Sequence, residues 1–378
     1  MLLKNAEISI YKLDNNGNFD ALGQINKFTS LIWPDKYRGH TYFELNVPVT
    51  PENRSLIKKG NIIWCGKDNA AIIEIIKSDM DENGQKTLNV KGRTLEVLLS
   101  SRIIWGTYTC VGKASSTAMY EIVEKQCVNP KDLYRKIPFL ECAVDEKFGK
   151  QVSFQKTGGE VYEALESIAT EADLGFEMLF KPKEKKIIFK VIEGIDRSEG
   201  INPVIFSTDL NDILSSSYYT NDQDVKTLAY VAGEGSGAER KHIISGNNAS
   251  IGFERKELYV DARDLQSEVT DADGNKETIS EEDYRDLLND RGIEKLAEHE
   301  IIETFEAKIR VIGNDRYVYG IDYYKGDKII MQDTDIGVQI KARITEVSEN
   351  YDDEYELILT FGYELPTLIQ KIKRQMLK

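Results

Sequence analysis

The amino-acid sequence predicts a mainly β protein with α+β insertions, in which two related β domains stand beside two smaller α/β modules. Three observations predict this fold class. Most segments with a clear hydrophobic pattern alternate with a period of two, one strand-rich pattern occurs twice, and helical patterns are confined to a few segments. With 378 residues, the chain is long enough for about two to four domains.

The first β domain is predicted over residues 1–110. Residues 6–11 alternate between apolar and polar, and the turn cluster at 14–18 predicts a hairpin after them. Residues 42–47 form another alternating strand, which Pro48 ends. With the strands of the repeated pattern, this gives about six strands, a number that suits a small barrel or a sandwich.

The repeated pattern covers residues 59–92 and again residues 325–362. Each copy begins with a Lys-Gly turn and an apolar strand, continues with a strand centred on Glu74 or Glu346 and an acidic turn, and closes with an alternating strand that reaches a glycine. Two copies are too few for a solenoid, which needs roughly three repeats, but they suit two similar barrels. Three such chains in a ring would place six similar units around one axis. The alternative is a chance likeness between two β-meanders.

The middle of the chain, residues 111–205, is predicted to be an α+β module. Residues 115–126 form a helix with a Ser/Thr start, and residues 159–169 form a second one with apolar residues at helical spacing. The segments 175–180 and 186–191 flank a charged turn and predict a hairpin.

The second β domain is predicted in two pieces, 206–240 and 308–364, which an inserted module at 241–307 separates. Residues 365–378 are assigned to that module as a short basic amphipathic helix. Within the second domain, we expect the strands at 212–220 and 227–232 to pair.

A helix is predicted to begin at Ser280, which is expected to act as its N-cap ahead of an acidic first turn. Ile279 and Tyr284 stand at the spacing of a hydrophobic staple. The helix is expected to run to about residue 300 in two pieces that break near Gly292.

The charge of the chain argues against specific nucleic-acid binding. The formal net charge is −15 and the sequence pI is about 4.9, so the protein's field repels the phosphate backbone. Such a surface either confers solubility alone or lets DNA pass without sticking. No apolar run reaches the ~18 residues of a membrane span, so membrane insertion is not expected. No signal peptide is visible, and the four cysteines are expected to be reduced, with Cys65 a buried free thiol.

Three partial motifs each lack a residue that their chemistry requires. Residues 299–303 read His-Glu-Ile-Ile-Glu and lack the second histidine of a zincin. Residues 271–282 resemble a calcium loop but carry Lys276 where glycine is required. Residues 233–237 are glycine-rich without the Lys-Ser/Thr of a phosphate loop, so a tight strand crossing is the stronger interpretation. We therefore assign no catalytic, cofactor-binding or metal-binding residue, expect no cofactor, and do not predict an enzyme.

Several segments form a pattern by their order and spacing: residues 28–33, 42–45, 231–240, 255–265, 324–327, 342–347, 351–352 and 361–362. In this order and spacing they resemble the siphophage tail-associated or baseplate hub protein family, which is similar to contractile-phage baseplate hub proteins. The resemblance covers essentially the whole chain.

This resemblance implies a phage tail hub architecture with two tube-type β-barrels per subunit. It implies a homotrimer whose pseudo-hexameric ring caps or extends the tail tube and continues its DNA channel at the virion tail tip. The implied partners are the distal tail protein and the tail tube ring, with a tail fibre, spike or lytic protein as a further one. Two alternatives stay open: a cell-wall hydrolase, and a carbohydrate- or receptor-binding module of the tail tip. The repeat turns, residues 59–61 and 325–327, are expected to face a common surface of the ring.

Overall fold

The computed structural model describes residues 7–15, 17–200, 202–210, 212–270, 276–309, 316–335, 337–352 and 355–362. The chain folds into two compact units. Unit 1 comprises Met1–Glu193, Lys226–His299 and Asn350–Tyr355, and unit 2 comprises Gly194–Val225, Glu300–Glu349 and Glu356–Lys378. The chain therefore leaves unit 1 and returns to it twice. The predicted C-terminal helix lies outside the described residues.

Unit 1 begins with an antiparallel sheet that buries one apolar face. Its strand order is β3-β4-β7-β6-β5-β1-β2, and β1 and β2 form the predicted hairpin. Alternate residues such as Leu31, Trp33 and Phe43 point into its core. The elements are β1 (Ile8–Leu13), β2 (Phe19–Ile25), β3 (Ser30–Lys36), β4 (Tyr42–Pro48), α1 (Pro51–Leu56), β5 (Ile62–Trp64), β6 (Ala70–Met80) and β7 (Lys86–Thr94).

The middle module of unit 1 confirms the predicted helices and hairpin. Helices α2 and α3 pack with two small sheets, β8–β10 and β9–β12–β11, around a core that contains Phe176 and Phe189. The pair β11–β12 is the hairpin predicted at 175–191. The elements are β8 (Thr107–Ala114), α2 (Ser115–Val123), β9 (Leu140–Cys142), β10 (Gln151–Thr157), α3 (Val161–Glu171), β11 (Gly175–Lys181) and β12 (Lys186–Ile192).

Unit 2 opens with two strands, β13 (Ile205–Ser207) and β14 (Ile213–Asn221). The chain then enters the inserted module of unit 1, residues 226–299. There a three-stranded sheet in the order β16-β15-β17 packs one face against a long helix, with Tyr284, Leu287 and Leu288 in the core. The elements are β15 (Leu228–Ala232), β16 (His242–Gly246), β17 (Glu257–Asp261), β18 (Glu268–Thr270), β19 (Lys276–Thr278) and α4 (Glu281–Ala297).

Four further strands complete unit 2: β20 (Ile302–Ile309), β21 (Lys328–Asp333), β22 (Val338–Tyr351) and β23 (Tyr355–Gly362). The strand order of this unit is β14-β20-β23-β22-β21-β13. Strand β13 pairs with β21 in parallel, whereas β14–β20, β20–β23 and β21–β22 are antiparallel.

The two sheets have the same connectivity, which supports the predicted duplication. In chain order β3, β4, β5, β6 and β7 of unit 1 correspond to β14, β20, β21, β22 and β23 of unit 2. Both sets have the spatial order first-second-fifth-fourth-third. The likeness therefore extends beyond the meander that the sequence revealed, to two strands that precede it. At the far edge the sets differ, because the hairpin β1–β2 of unit 1 has only the parallel strand β13 as its counterpart.

Three detailed expectations were wrong. Strand β15 does not pair with β14: it lies between β16 and β17, whereas β14 pairs with β20. Helix α4 does not break near Gly292, because this glycine lets the helix approach the sheet; a Cβ there would lie 2.4 Å from Ser245 Oγ. The sequence alignment of the two repeats was also shifted by one residue. Matching Glu74 with Glu346 would place Ile73 opposite Thr345, whereas the backbone hydrogen bonds place Ile73 opposite Ile344.

Closure of either sheet into a barrel stays a prediction. In the part of the chain that the structure describes, no pairing joins β2 to β3 or β13 to β14. The proposed domain boundaries also remain a prediction. The described pairings place β15 with the inserted module, although the sequence assigned it to the second β domain.

Candidate assembly surfaces

The repeat turns have the same backbone hydrogen bonds in both units. Gly60 N–H donates to the Ile73 carbonyl at 2.8 Å, and Ile73 N–H donates to the Asn61 carbonyl at 2.9 Å. In unit 2, Gly326 N–H donates to the Ile344 carbonyl at 2.9 Å, and Ile344 N–H donates to the Asp327 carbonyl at 2.9 Å. Both glycines have a positive φ, 84° and 92°, which a side chain rarely allows.

The residue after each glycine is polar and buried, and it holds a neighbouring segment. The Asn61 amide donates to the Leu56 carbonyl at the end of α1 at 2.8 Å. Asp327 accepts from Ile195 N–H at 2.9 Å, from Arg197 Nε at 2.5 Å and from Tyr324 N–H at 3.0 Å. The turn of unit 2 is therefore anchored by a charged pair and the turn of unit 1 by a neutral hydrogen bond.

A polar seam joins the inserted module to the middle module inside unit 1. From α4, Asp290 accepts from Ser153 N–H at 2.6 Å, and Glu294 accepts from the Ser167 hydroxyl at 2.7 Å. The side-chain amide of Gln155 donates to the backbone carbonyl of Gln266 and accepts from the backbone N–H of the same residue. The two modules also have separate apolar cores. Loss of these hydrogen bonds would leave buried polar groups unsatisfied.

Burial shifts the pKa of the seam carboxyl Asp290 and the pKa of Glu171, whose charge interacts with Asp290, in the same direction. Burial raises the pKa of Asp290, which the hydrogen bond from Ser153 partly offsets. Burial also raises the pKa of Glu171 against the opposing effect of the Lys150 ammonium. Arg291 lies between Asp264 and Glu294. Burial lowers its pKa, but these two carboxylates outweigh burial and raise it.

The solvent face of the β16–β15–β17 sheet carries an aromatic row that the sequence analysis missed. Tyr230 stacks on His242 with ring centroids 5.2 Å apart and on Tyr259 at 6.2 Å. Tyr259 is 59% exposed and accepts from Arg240 at 2.8 Å. The sequence carries one signal for this row. Each tyrosine stands between two apolar residues of its strand, and successive side chains of a strand point to opposite faces of the sheet.

The partial motifs do not form sites. His299 follows the end of α4, so residues 299–303 lack the single helix turn that would align two ligands. The glycine-rich loop closes the β15–β16 hairpin: Gly233 N–H donates to the Lys241 carbonyl and Glu234 N–H to Tyr284 Oη, both at 2.8 Å. The core of the calcium-like loop, residues 271–275, lies outside the described residues. Among the residues that are described, no cluster of His, Cys, Asp or Glu could hold a metal ion.

The cysteines are free thiols, and Cys65 is buried as predicted. Burial raises the pKa of Cys127 to about 12, which disfavours its thiolate form. Within the described part of the chain, no helix is long and apolar enough to cross a membrane.

Two solved structures with a similar fold are tail proteins. The tail protein from Neisseria meningitidis MC58 is 12% identical with a TM-score of 0.55, and the alignment covers 95% of this chain and 96% of that one. The 43 kDa tail protein of prophage MuSo2 from Shewanella oneidensis is 12% identical with a TM-score of 0.54, over 95% and 98% of the two chains. The fold is thus that of a phage tail protein.

The sequence narrows this class to one family. The pattern of the Siphovirus ReqiPepy6 Gp37-like proteins matches residues 7–363, and the chain belongs to that family. The resemblance to siphophage tail proteins is thereby confirmed. No curated protein matches the sequence. Family and fold together favour a structural role in a phage tail over an enzymatic one.

Proposed function

We propose that this chain is the structural hub of a phage or prophage tail tip. Three copies form a ring of six similar β units, which caps or extends the tail tube and continues its DNA channel. The observation that carries the proposal is the duplicated sheet, whose two copies share five strands in the same order and the same turn hydrogen bonds. Threefold symmetry of a duplicated chain gives the quasi-sixfold contact surface that a hexameric tube requires.

The net charge of −15 supports a passage for DNA. A lumen that carries negative charge repels phosphates, so DNA would move through it without binding. The distal tail protein and the tail tube ring are the expected neighbours, and a fibre, spike or lytic protein would attach on the distal side.

Imaging of the purified chain mixed with tail tube rings tests this function. The proposal predicts a ring at one end of the tube, coaxial with it and with an open centre. Chains that bind the side of the tube, or that leave its end free at every mixing ratio, would contradict a hub.

A carbohydrate- or receptor-binding role is the second candidate, because the exposed aromatic row of Tyr230, His242 and Tyr259 offers ring surfaces beside the charged Arg240 and Asp261. Binding to a glycan array that is lost in Tyr259→Ala, with Tyr134→Ala as a matched exposed control, would favour it. No binding by the folded chain would remove it.

A further inference from the structure

Strand β14, Ile213–Asn221, is an edge strand that lacks the usual protection. It contains no charged residue and no proline. In the described structure it pairs with β20 on one side only, and Leu214, Ser215, Ser217 and Tyr219 are exposed. Exposed edges recruit other strands unless charge, proline or irregularity blocks them. A register irregularity in β14 is confined to its start, between Ile213 and Ser215, and residues 215–221 keep a regular antiparallel register with β20.

The first repeat indicates what covers this edge. The counterpart of β14 is β3. In unit 1 the strand beside β3, on the side away from β4, is β22, whose last residues Asn350 and Tyr351 belong to this unit. Tyr351 packs against the core that contains Leu31 and Trp33. Within unit 1, the end of β22 therefore covers the edge of β3.

The equivalent strand end in the first repeat, the end of β6, is exposed to solvent. Strand β6 is the counterpart of β22, and its last residues, 77–80, are all exposed together with the turn that follows. Ile75 is 54% exposed and Met80 is 65% exposed. One copy of the chain therefore offers an uncovered edge at β14 and an exposed strand end at β6 that carries two exposed apolar side chains, Ile75 and Met80. These are the two halves of a contact already made once.

We propose that the end of β6 in one copy lies along β14 of a neighbouring copy, as the end of β22 lies beside β3. The inference rests on the proposed ring and names its subunit contact. The contact is heterologous, because different surfaces meet, so repetition closes a ring when the rotation fits. The uncharged β14 presents no like charge to Lys77 or Asp79 of the incoming strand.

Lysine substitutions on each side separately test the contact. The variant Ser215→Lys/Ser217→Lys places charge on the β14 edge, and Ile75→Lys/Met80→Lys places charge on the β6 end. Each is expected to weaken self-association by about 100-fold, since the contact would bury unpaired charge. Ser55→Lys, at an exposed site on α1, is the matched control and should assemble like wild type. Sedimentation velocity gives the masses, and circular dichroism confirms folding.

Mixing the two variants gives a result that only a heterologous contact predicts. At a concentration where each variant alone is a monomer, a mixture still retains one intact β6 end and one intact β14 edge. It should therefore form a one-to-one dimer and nothing larger. If a lysine variant does not fold, Ser217→Cys and Ser78→Cys chains replace the pair, and oxidation should cross-link them together far above either alone.

The outcomes separate this contact from the proposed function. A wild-type ring that both variants still form would overturn the β6–β14 contact and leave the hub function standing. A mixture that remains monomeric, or that forms full rings, would also overturn the contact. A wild-type chain that stays monomeric at the highest concentration, and also beside tail tube rings, would overturn the contact and the ring together.

Discussion

The two repeats of this chain share a sheet but differ in what surrounds it. In the first repeat, residues 37–41 connect β3 to β4, whereas in the second the 226–299 module stands between the equivalent strands β14 and β20. The turn anchor is neutral at Asn61 and charged at Asp327. The comparison teaches that the strand order and the Lys-Gly turn define the unit. The connections between strands can differ in length, because a longer loop costs little additional closure entropy. The buried anchor of the turn also differs between the repeats.

The glycines near the end of the last repeat strand, Gly92 and Gly362, give the largest expected contrast. A Cβ at Gly92 would lie 1.7 Å from the Ile72 carbonyl oxygen, so the backbones of β6 and β7 would have to separate. Gly92→Ala should lower the free energy of unfolding by about 4 kcal/mol. Gly362 has a φ of 82°, and Gly362→Ala should cost only about 1 kcal/mol. Urea titrations compare the two, and equal losses would contradict different roles for the two glycines.

The buried anchors give the next contrast. Asp327→Ala should destabilise the chain by about 3 kcal/mol, because Arg197 and two backbone amides lose their acceptor. Asn61→Ala removes one neutral hydrogen bond and should cost about 1 kcal/mol. Asp327→Asn, which keeps acceptor oxygen without charge, serves as the control and should fall between them. A larger loss at Asn61 than at Asp327 would reverse the proposed difference between the turns.

The insertion that distinguishes the second repeat can be loosened at Gly292. Gly292→Val would push α4 from Ser245 and Val231 and should cost about 2 kcal/mol of local stability. Hydrogen exchange of α4 amides should accelerate, while the amides of β6 and β7 stay protected. Arg285→Ala on the exposed side of α4 is the control, with a change within about 0.5 kcal/mol. Uniform loss of protection would show that the module does not open by itself.

The smallest expected effect concerns pH at the seam of this insertion. The folded-state pKa of Asp290 lies above its ordinary value near 3.8, so the folded chain holds this proton more tightly than the unfolded chain. Wild-type stability relative to Asp290→Asn should therefore rise as pH falls from neutral through the folded pKa, and level off below 3.8. Thermal melts of both proteins across this range measure the difference. A relative loss of wild-type stability on acidification would contradict a raised pKa.

Local signals in the sequence predicted much of this fold. The Lys-Gly turns, the β11–β12 hairpin and the Ser280 cap depend on residues close in sequence, and all three are present; Ser280 Oγ accepts from Asp283 N–H at 3.1 Å. Such features follow from turn and cap chemistry alone. The mainly β class follows from alternation within single strands, which is also a local signal.

Long-range features were beyond the sequence signals. The partners of β15 and the parallel pairing of β13 depend on which strands meet in space. Alternation of apolar and polar residues does not indicate which strands pair. A bulge between Ile73 and Ile75 shifts the register of β6, so matching glutamates misaligned the repeats by one residue. The predicted break at Gly292 is absent. The low helix propensity of glycine suggested it, but propensity does not reveal where a helix packs closely against a sheet.

The measurement that tests the central claim most directly is the symmetry of the assembled particle. Light scattering should give a mass three times the 43.0 kDa of one chain, and class averages of negatively stained rings should show six similar lobes around an open centre with threefold symmetry. A ring with three lobes, or an assembly without a central opening, would contradict the claim that both repeats act as equivalent units of one ring.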